Sequence, residues 1–311
     1  MASRLLLRRS LQSVARRTGL AAAVRPPLPL HSTFGAASFS SEAAPPPSSS
    51  SLIVQRGDEG IASVYLSAPP VNALSTPLLE EFIALLKDLD NDPTIRGFVL
   101  GSAVPNIFSA GIHLPEMLLD ADGGVDNFVH FWTLLQEAWL ALYTTPLASV
   151  AAIPGHCPAG GCLLAFSCDV RVMVEGKGLI GLNEAAFGLI PPPWLSRMLV
   201  GLAGQRKAED MIMRGVMLPP EEALAAGLVD VTVPLAGLTD EANSRLASLL
   251  AVPEGSRRLA KLQLRQEAAE RLRDAQSEDL DEVLQLVTQP AVQHSIRTYL
   301  ESLSKKSNGG E

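Results

Sequence analysis

The chain has 311 residues, 47% of them hydrophobic and 19% charged, with a net charge of −8. That apolar share excludes a wholly disordered chain and is enough for one large domain or two small ones. The acidic balance argues against a protein that must neutralise phosphates, and no uninterrupted apolar run reaches the roughly 18 residues of a membrane-spanning helix.

Residues 1–41 differ in kind from the rest. They hold six arginines (Arg4, Arg8, Arg9, Arg16, Arg17 and Arg25), no lysine and no acid before Glu42. Leu5, Leu6, Leu7, Leu11 and Val14 can form an apolar face between the arginines. An Arg-rich, Ser-rich, acid-free leader has the composition of an organelle transit peptide, and its arginine content favours the mitochondrion. Removing it takes six positive and no negative charges from −8, which leaves −14. The Pro/Ser run within 42–51 reads as a flexible linker.

From Leu52 the pattern alternates. Leu52–Gln55 and Ile61–Leu66 read as strands joined by the Gly57–Gly60 turn, a hairpin. Thr76 and Pro77 open a helix as cap and first residue, with Leu78, Leu79, Phe82, Ile83, Leu85, Leu86 and Leu89 on its apolar face. Gly97–Leu100, Leu147–Ile153 and Val170–Val174 read as buried strands. Asn127–Tyr143 and Gly160–Cys168 read as helices. Beyond Trp194 helices dominate, interrupted by Leu228–Val233. Strands separated by helices predict an α/β core over 52–235, followed by a helical region over 236–311.

Three cysteines, Cys157, Cys162 and Cys168, are too few and too close for a disulfide framework, and they lack the four placed ligands of a closed zinc site. No metal is expected. Three other segments carry the chemistry. Phe108–Leu114 contains Ala110-Gly111-Ile112-His113. Pro154–Cys162 places Gly160 and Gly161 just before an apolar helix. Glycines there leave N–H groups free for an anion or oxyanion, or simply allow close helix–strand packing. The third, Ile180–Trp194, carries Glu184, the one acid between Glu175 and Glu209. Such a carboxylate is either a solvated loop residue or, if buried, a proton-transfer base with a raised pKa.

Taken in order, FSAGIHL, PAGGC and IGLNEAAFGLIPPPW resemble the enoyl-CoA hydratase/isomerase (crotonase) superfamily, and the resemblance runs from about Pro69 to Glu301. It implies a crotonase (ClpP/crotonase-like) fold of repeated ββα units with a helical C-terminal region. It also implies an acyl-CoA substrate, no cofactor beyond the CoA of the substrate, no nucleic-acid partner, a homotrimer or dimer of trimers, and a place in the mitochondrial matrix. Carried over residue by residue, the backbone N–H groups of Ile112 and Gly160 form an oxyanion hole and Glu184 is the catalytic carboxylate. Ala110, Gly111, Ile112, His113, Leu114 and Gly161 border the substrate and its CoA. The hydratase branch has a second glutamate directly after its Gly-Gly-Cys; here that place is Leu163. The resemblance therefore points to an isomerase that shifts the double bond of a 3-enoyl-CoA to C2, with an enoyl-CoA hydratase or other crotonase-type activity, or a non-catalytic acyl-CoA-binding member, as the alternatives. His113 stands where the family often has Asp. Phe131, Trp132, Leu135 and Trp139 are expected along an acyl channel, and Arg257, Arg258, Lys261 and Arg265 are the basic cluster offered to the CoA phosphates.

Overall fold

The computed structural model describes residues 50–57, 59–120 and 123–308. The leader over 1–41 lies outside the described residues, as does the linker apart from its last two positions. Strands β1 (Leu52–Arg56) and β2 (Ile61–Leu66) pair antiparallel, which is the expected hairpin. Helix α1 (Thr76–Asn91) buries Leu78, Leu79, Phe82, Ile83, Leu86 and Leu89, while Leu85, also expected on that face, is half-buried. Its cap is Ser75, one residue earlier than expected, and the Ser75 hydroxyl makes no capping bond. The Glu116 carboxylate, 40 residues away in sequence, accepts the Thr76 N–H at 3.1 Å in its place. A distant acid thus does the work of a local hydroxyl at the positive helix end.

Strands β3 (Gly97–Ser102) and β4 (Ala148–Ile153) are joined by helix α2 (Gly124–Thr144). The two-residue β5 (Cys157–Pro158), helix α3 (Gly160–Ser167), β6 (Val170–Val174), the two-residue β7 (Ile180–Gly181) and β8 (Val231–Val233) follow. The main sheet has the order β1-β2-β3-β4-β6-β8, parallel after the first hairpin. Its inner strands are mainly apolar because both faces are covered, with Ser149 and Arg171 as buried polar residues among them. Phe98, Leu100, Ile153 and Met173 belong to the main core. Val99, Val150 and Val172 point the other way, onto Leu238, Ala242 and Leu246 of a later helix (Leu238–Leu250). β5 and β7 leave this sheet and pair with each other, so the chain steps out of the main layer before α3 and again before Glu184.

The core continues with α4 (Pro193–Ala203), and the C-terminal region contributes the Leu238–Leu250 helix, a long helix over Glu254–Val287 and one over Pro290–Asn308. The basic cluster on the long helix faces inward rather than toward a phosphate. Lys261 Nζ and Arg265 Nη2 lie 3.0 and 2.9 Å from Asp169 Oδ1. Lys261 also donates to the Leu147 carbonyl (2.8 Å), Arg265 to those of Tyr143 and Ser167 (3.0 and 2.7 Å), and Arg257 to that of Pro146 (3.1 Å). Only Arg258 stays at the surface, paired with Glu254. The physical reason is the ending of α2 and α3 at the same place, which leaves terminal carbonyls without helical partners. Charge patterning along one helix cannot reveal carbonyls that belong to others. The Lys261 side chain is 8% exposed, and burial pushes its ammonium down to about 8 against the pull of Asp169. Replacing Asp169 by Asn is expected to cost about 3 kcal/mol, since two buried cations lose their counter-charge. Urea unfolding will show this as a fall in midpoint with an unchanged slope; an unchanged midpoint would deny the cluster its structural role.

Candidate active site

The three segments singled out by sequence are brought together by short parallel pairings. Ile107 bridges His156, Cys157 pairs with Ile180, and Pro158 with Gly181, all parallel. The backbone bonds Phe108 N–H to His156 O, Cys157 N–H to Leu179 O and Ala159 N–H to Gly181 O are each 2.9 Å. Parallel chains leave a sheet on the same side, so Ser109–Ile112, Ala159–Gly161 and Leu182–Glu184 emerge beside one another.

Ile112 forms an isolated parallel bridge with Leu74. The Leu74 N–H bonds Gly111 O (2.8 Å) and the His113 N–H bonds Leu74 O (3.0 Å). In a parallel bridge the middle residue's own N–H points away from its partner, and that of Ile112 has no backbone acceptor among the described residues. Gly160 is the first residue of α3, where an N–H has no helical acceptor. The two groups lie side by side: a Cβ placed on Gly160 would come within 3.0 Å of Ile112 N and 3.2 Å of Gly111 C. Ala159, just before, takes φ +47° and ψ −115°, a left-handed conformation costly for a residue with a side chain. This single residue turns the chain from β5 into α3. The Gly181 carbonyl holds its N–H, and its own carbonyl accepts the Leu163 N–H (3.2 Å).

The donor loop is held from beneath by two residues to which no role was given from sequence, Asn72 and Ser109. Both are fully buried. Asn72 accepts the Ala68 N–H (2.8 Å) and donates to Ser102 Oγ (2.8 Å) and the Phe108 carbonyl (3.0 Å). Ser109 Oγ donates to the Asn72 carbonyl (2.7 Å) and accepts the Gly111 N–H (3.2 Å). The polar residues in the apolar Pro70–Leu74 and Phe108–Leu114 runs were the available signal. His113 takes no part in bonding the loop amides. Its Nδ1 is out of water without a hydrogen bond and 3.8 Å from Glu116 Oε1. Ser109 and the Leu74 carbonyl supply what an acid at this place would. Ala110 is exposed, Leu114 half-buried, and Gly111 and Gly161 buried.

Glu184 opens a single 3-10 turn, Glu184–Phe187, that Gly188 closes at φ +74°. Its Oε2 is buried and has no hydrogen-bond partner among the described residues. With no cation to offset it, burial pushes the carboxyl up to about 7. Leu163, one turn into α3, is 1% exposed and brings only hydrocarbon. Cys162 is buried and spends its thiol on the Cys157 and Gly181 carbonyls (2.9 and 3.4 Å), and burial pushes it well above its ordinary pKa, which makes it a poor nucleophile. Among the described residues no group of three His, Cys, Asp or Glu could hold a metal ion, and no helix is long and apolar enough to cross a membrane.

The last helix braces both halves of the site. Gln293 accepts the Leu119 N–H (3.2 Å) and donates to the Met117 carbonyl (2.9 Å), which fixes the segment after the donor loop. Tyr299 sets its ring 4.1 Å from that of Phe187, in the Glu184 turn. Of the four residues expected along a channel, Phe131 and Leu135 are ordinary core and Trp132 donates its indole N–H to Asp279 (2.9 Å). Trp139 lines a cavity of about 540 Å³ and Trp132 a much smaller one of about 50 Å³.

The free N–H groups of Ile112 and Gly160 and the carboxylate of Glu184 thus stand on segments that short parallel pairings bring together. Residues 56–308 match Enoyl-CoA hydratase/isomerase, and the chain belongs to that family. It is similar to the rat mitochondrial enoyl-CoA delta isomerase 1, 38% identical over 288 residues that make up 92% of this chain and 99% of the rat sequence. The human enoyl-CoA delta isomerase 1 is 36% identical over 282 residues, 90% and 92% of the two chains. The crystal structure of human mitochondrial delta3-delta2-enoyl-CoA isomerase superposes with a TM-score of 0.80 at 37% identity, covering 83% of this chain and 99% of that one. An enoyl-CoA hydratase from Bacillus halodurans shares the fold, with a TM-score of 0.73 at 21% identity, 80% and 100% covered. The crotonase fold expected from the motifs is borne out.

Proposed function

We propose that the chain is a Δ3,Δ2-enoyl-CoA isomerase of mitochondrial β-oxidation, converting 3-enoyl-CoA to trans-2-enoyl-CoA. The observation that carries this is the Glu184 carboxylate, its Oε2 buried without a hydrogen-bond partner, in a chain that has the buried Leu163 where a hydratase needs a second acid to hold water. Ionised Glu184 removes a proton from C2, and the electron pair moves into an enolate whose charge rests on the thioester oxygen. The N–H groups of Ile112 and Gly160 donate to that oxygen as its charge develops. The protonated Glu184 then returns the proton at C4, the double bond comes to rest between C2 and C3, and the carboxylate is regenerated. One group both takes and gives the proton, and no electrons leave the substrate, so the reaction calls for no redox cofactor. Ala110, Gly111, His113, Leu114 and Gly161 border the thioester and CoA. The arginine-rich leader and the mitochondrial names of the relatives support import into the matrix, and the family supports a homotrimer or dimer of trimers.

Supplied with 3-hexenoyl-CoA, the protein is expected to form 2-hexenoyl-CoA with little or no 3-hydroxyhexanoyl-CoA, followed by chromatography of the thioesters. Dominant hydroxyacyl product would overturn the argument from Leu163 in favour of a hydratase. Binding of acyl-CoA without either product would make the chain a non-catalytic member.

A further inference from the structure

None of the four residues of the Glu184–Phe187 turn is fully buried, and Gly188, which closes it, is exposed. The Glu184 Oε2 is nonetheless out of water. Cover from outside the turn must therefore keep its carboxylate dry, and two helices pack on it. The end of a helix over Gln205–Arg214 closes on the first half: a Cβ on Gly215 would come within 3.0 Å of Ala186 N and 3.3 Å of Asn183 O. The helix over Pro290–Asn308 closes on the second half. A Cβ on Gly188 would have Ser295 Oγ at 3.6 Å, and the Tyr299 ring lies 4.1 Å from that of Phe187, tilted by 45°. Ser295 and Tyr299 are four residues apart, so one face of that helix makes both contacts.

A 3-10 helix has three residues per turn, and side chains at i and i+3 eclipse. Glu184 and Phe187 are such a pair. The Phe187 ring therefore stands beside the carboxylate, and the Tyr299 ring, set against it from another helix, widens the aromatic wall. The charged groups of the two covering helices are turned to other partners or to water. Arg206 pairs with Glu209, Arg214 with Asp210 and Arg297 with Asp120, while Lys207, His294 and Glu301 are exposed. Burial, together with the nearby Glu184 charge, keeps the Cys162 thiol on α3 protonated.

We propose that Phe187 and Tyr299 form a seal that keeps bulk water from Glu184 while it holds the substrate proton, with Tyr299 as a positioning residue that acts through Phe187. The inference rests on the isomerase reading and adds to it how the proton is retained. While the enolate lasts, Glu184 carries the proton taken from C2. Where water reaches the carboxyl, that proton passes to solvent and one from solvent replaces it before the bond at C4 forms. Where water is excluded, the same proton goes from C2 to C4.

Conversion of 3-hexenoyl-CoA in heavy water separates the two cases, with the first product read by mass spectrometry and NMR for deuterium at C4. The wild type is expected to place mostly protium there. Tyr299→Ala and Phe187→Ala should each raise the deuterium content about threefold or more, whereas Tyr299→Phe, which keeps the ring, should match the wild type. This ratio does not depend on how much of a variant is folded, so a merely structural role would lower turnover and leave it unchanged. Full deuteration by the wild type, or wild-type labelling in either alanine variant that folds, would overturn the proposal. So would labelling by Tyr299→Phe as heavy as by Tyr299→Ala. If the wild type forms no isomer, the isomerase reading fails, and the seal is still read directly. The infrared band of the Glu184 carboxyl, isolated by difference from Glu184→Gln, should then titrate near 7 in the wild type and move toward its ordinary 4.5 in whichever alanine variant folds. The same midpoint in both would again overturn the assignment.

Discussion

Replacing Glu184 by Gln is expected to remove isomerisation almost completely and, in the same molecule, to stabilise the fold at neutral and alkaline pH. Glutamine keeps the shape and the polarity of the side chain but cannot carry the proton. Since one carboxylate both removes and returns it, the loss in kcat should be on the order of ten thousandfold, the upper end for general acid–base groups. The stability gain has the opposite origin. A carboxyl with an ordinary value of 4.5 is held at about 7 by burial, so the folded protein resists its ionisation. Below about pH 4.5 the acid is protonated in both folded and unfolded chains and the variant gains nothing. As pH rises toward 7 the unfolded chain ionises first, and the wild type loses stability progressively. Above 7 the full difference is reached, on the order of 3 kcal/mol. Urea unfolding of the two proteins at pH 5 and pH 8 will show a gap that widens with pH. An equal midpoint at both would mean that the Glu184 environment is not apolar. The same burial predicts that wild-type kcat/KM declines as pH falls below about 7, because the base must be ionised to act.

The second large effect is expected at Gly160. In Gly160→Ala the added methyl sits 3.0 Å from Ile112 N and 3.1 Å from Leu74 Cδ1. It therefore occupies the space beside the donor pair that the thioester oxygen needs. Neighbours must yield by only a few tenths of an ångström, so the protein should fold with a loss of about 1 kcal/mol. The enolate, in contrast, loses its preorganised donors, and kcat should fall on the order of a thousandfold, about 4 kcal/mol of transition-state stabilisation. Gly161→Ala separates this from simple crowding: there the methyl lies 2.6 Å from the Ser109 carbonyl, and unfolding temperature should suffer more than turnover. If Gly160→Ala kept wild-type kcat, the assignment of the donor pair would be wrong.

Much of the main sheet was legible in the sequence because its strands and α1 carry long, regular apolar patterns. The segments around Ile112, Gly160 and Glu184 were legible as motifs, through glycines and one isolated acid in apolar surroundings. Their convergence was not. It depends on β5 and β7, two residues each, whose pairing leaves no periodic trace. The cap of α1 was misplaced by one residue for a related reason, since Glu116 reaches it from a distant loop. Lys261 and Arg265 looked like a solvated, phosphate-seeking face because their true partners are the Tyr143, Leu147 and Ser167 carbonyls. Local pattern shows which residues a segment offers, and only the tertiary fold shows who accepts them.

The helix over Pro290–Asn308 couples the two loops of the candidate site to one another. Gln293 holds the segment that follows Ile112, and Tyr299 packs on the turn that carries Glu184. The two residues stand about 9 Å apart along one helix axis. A displacement of that helix is therefore felt at both loops together, as two doors hung on a single post share its lean.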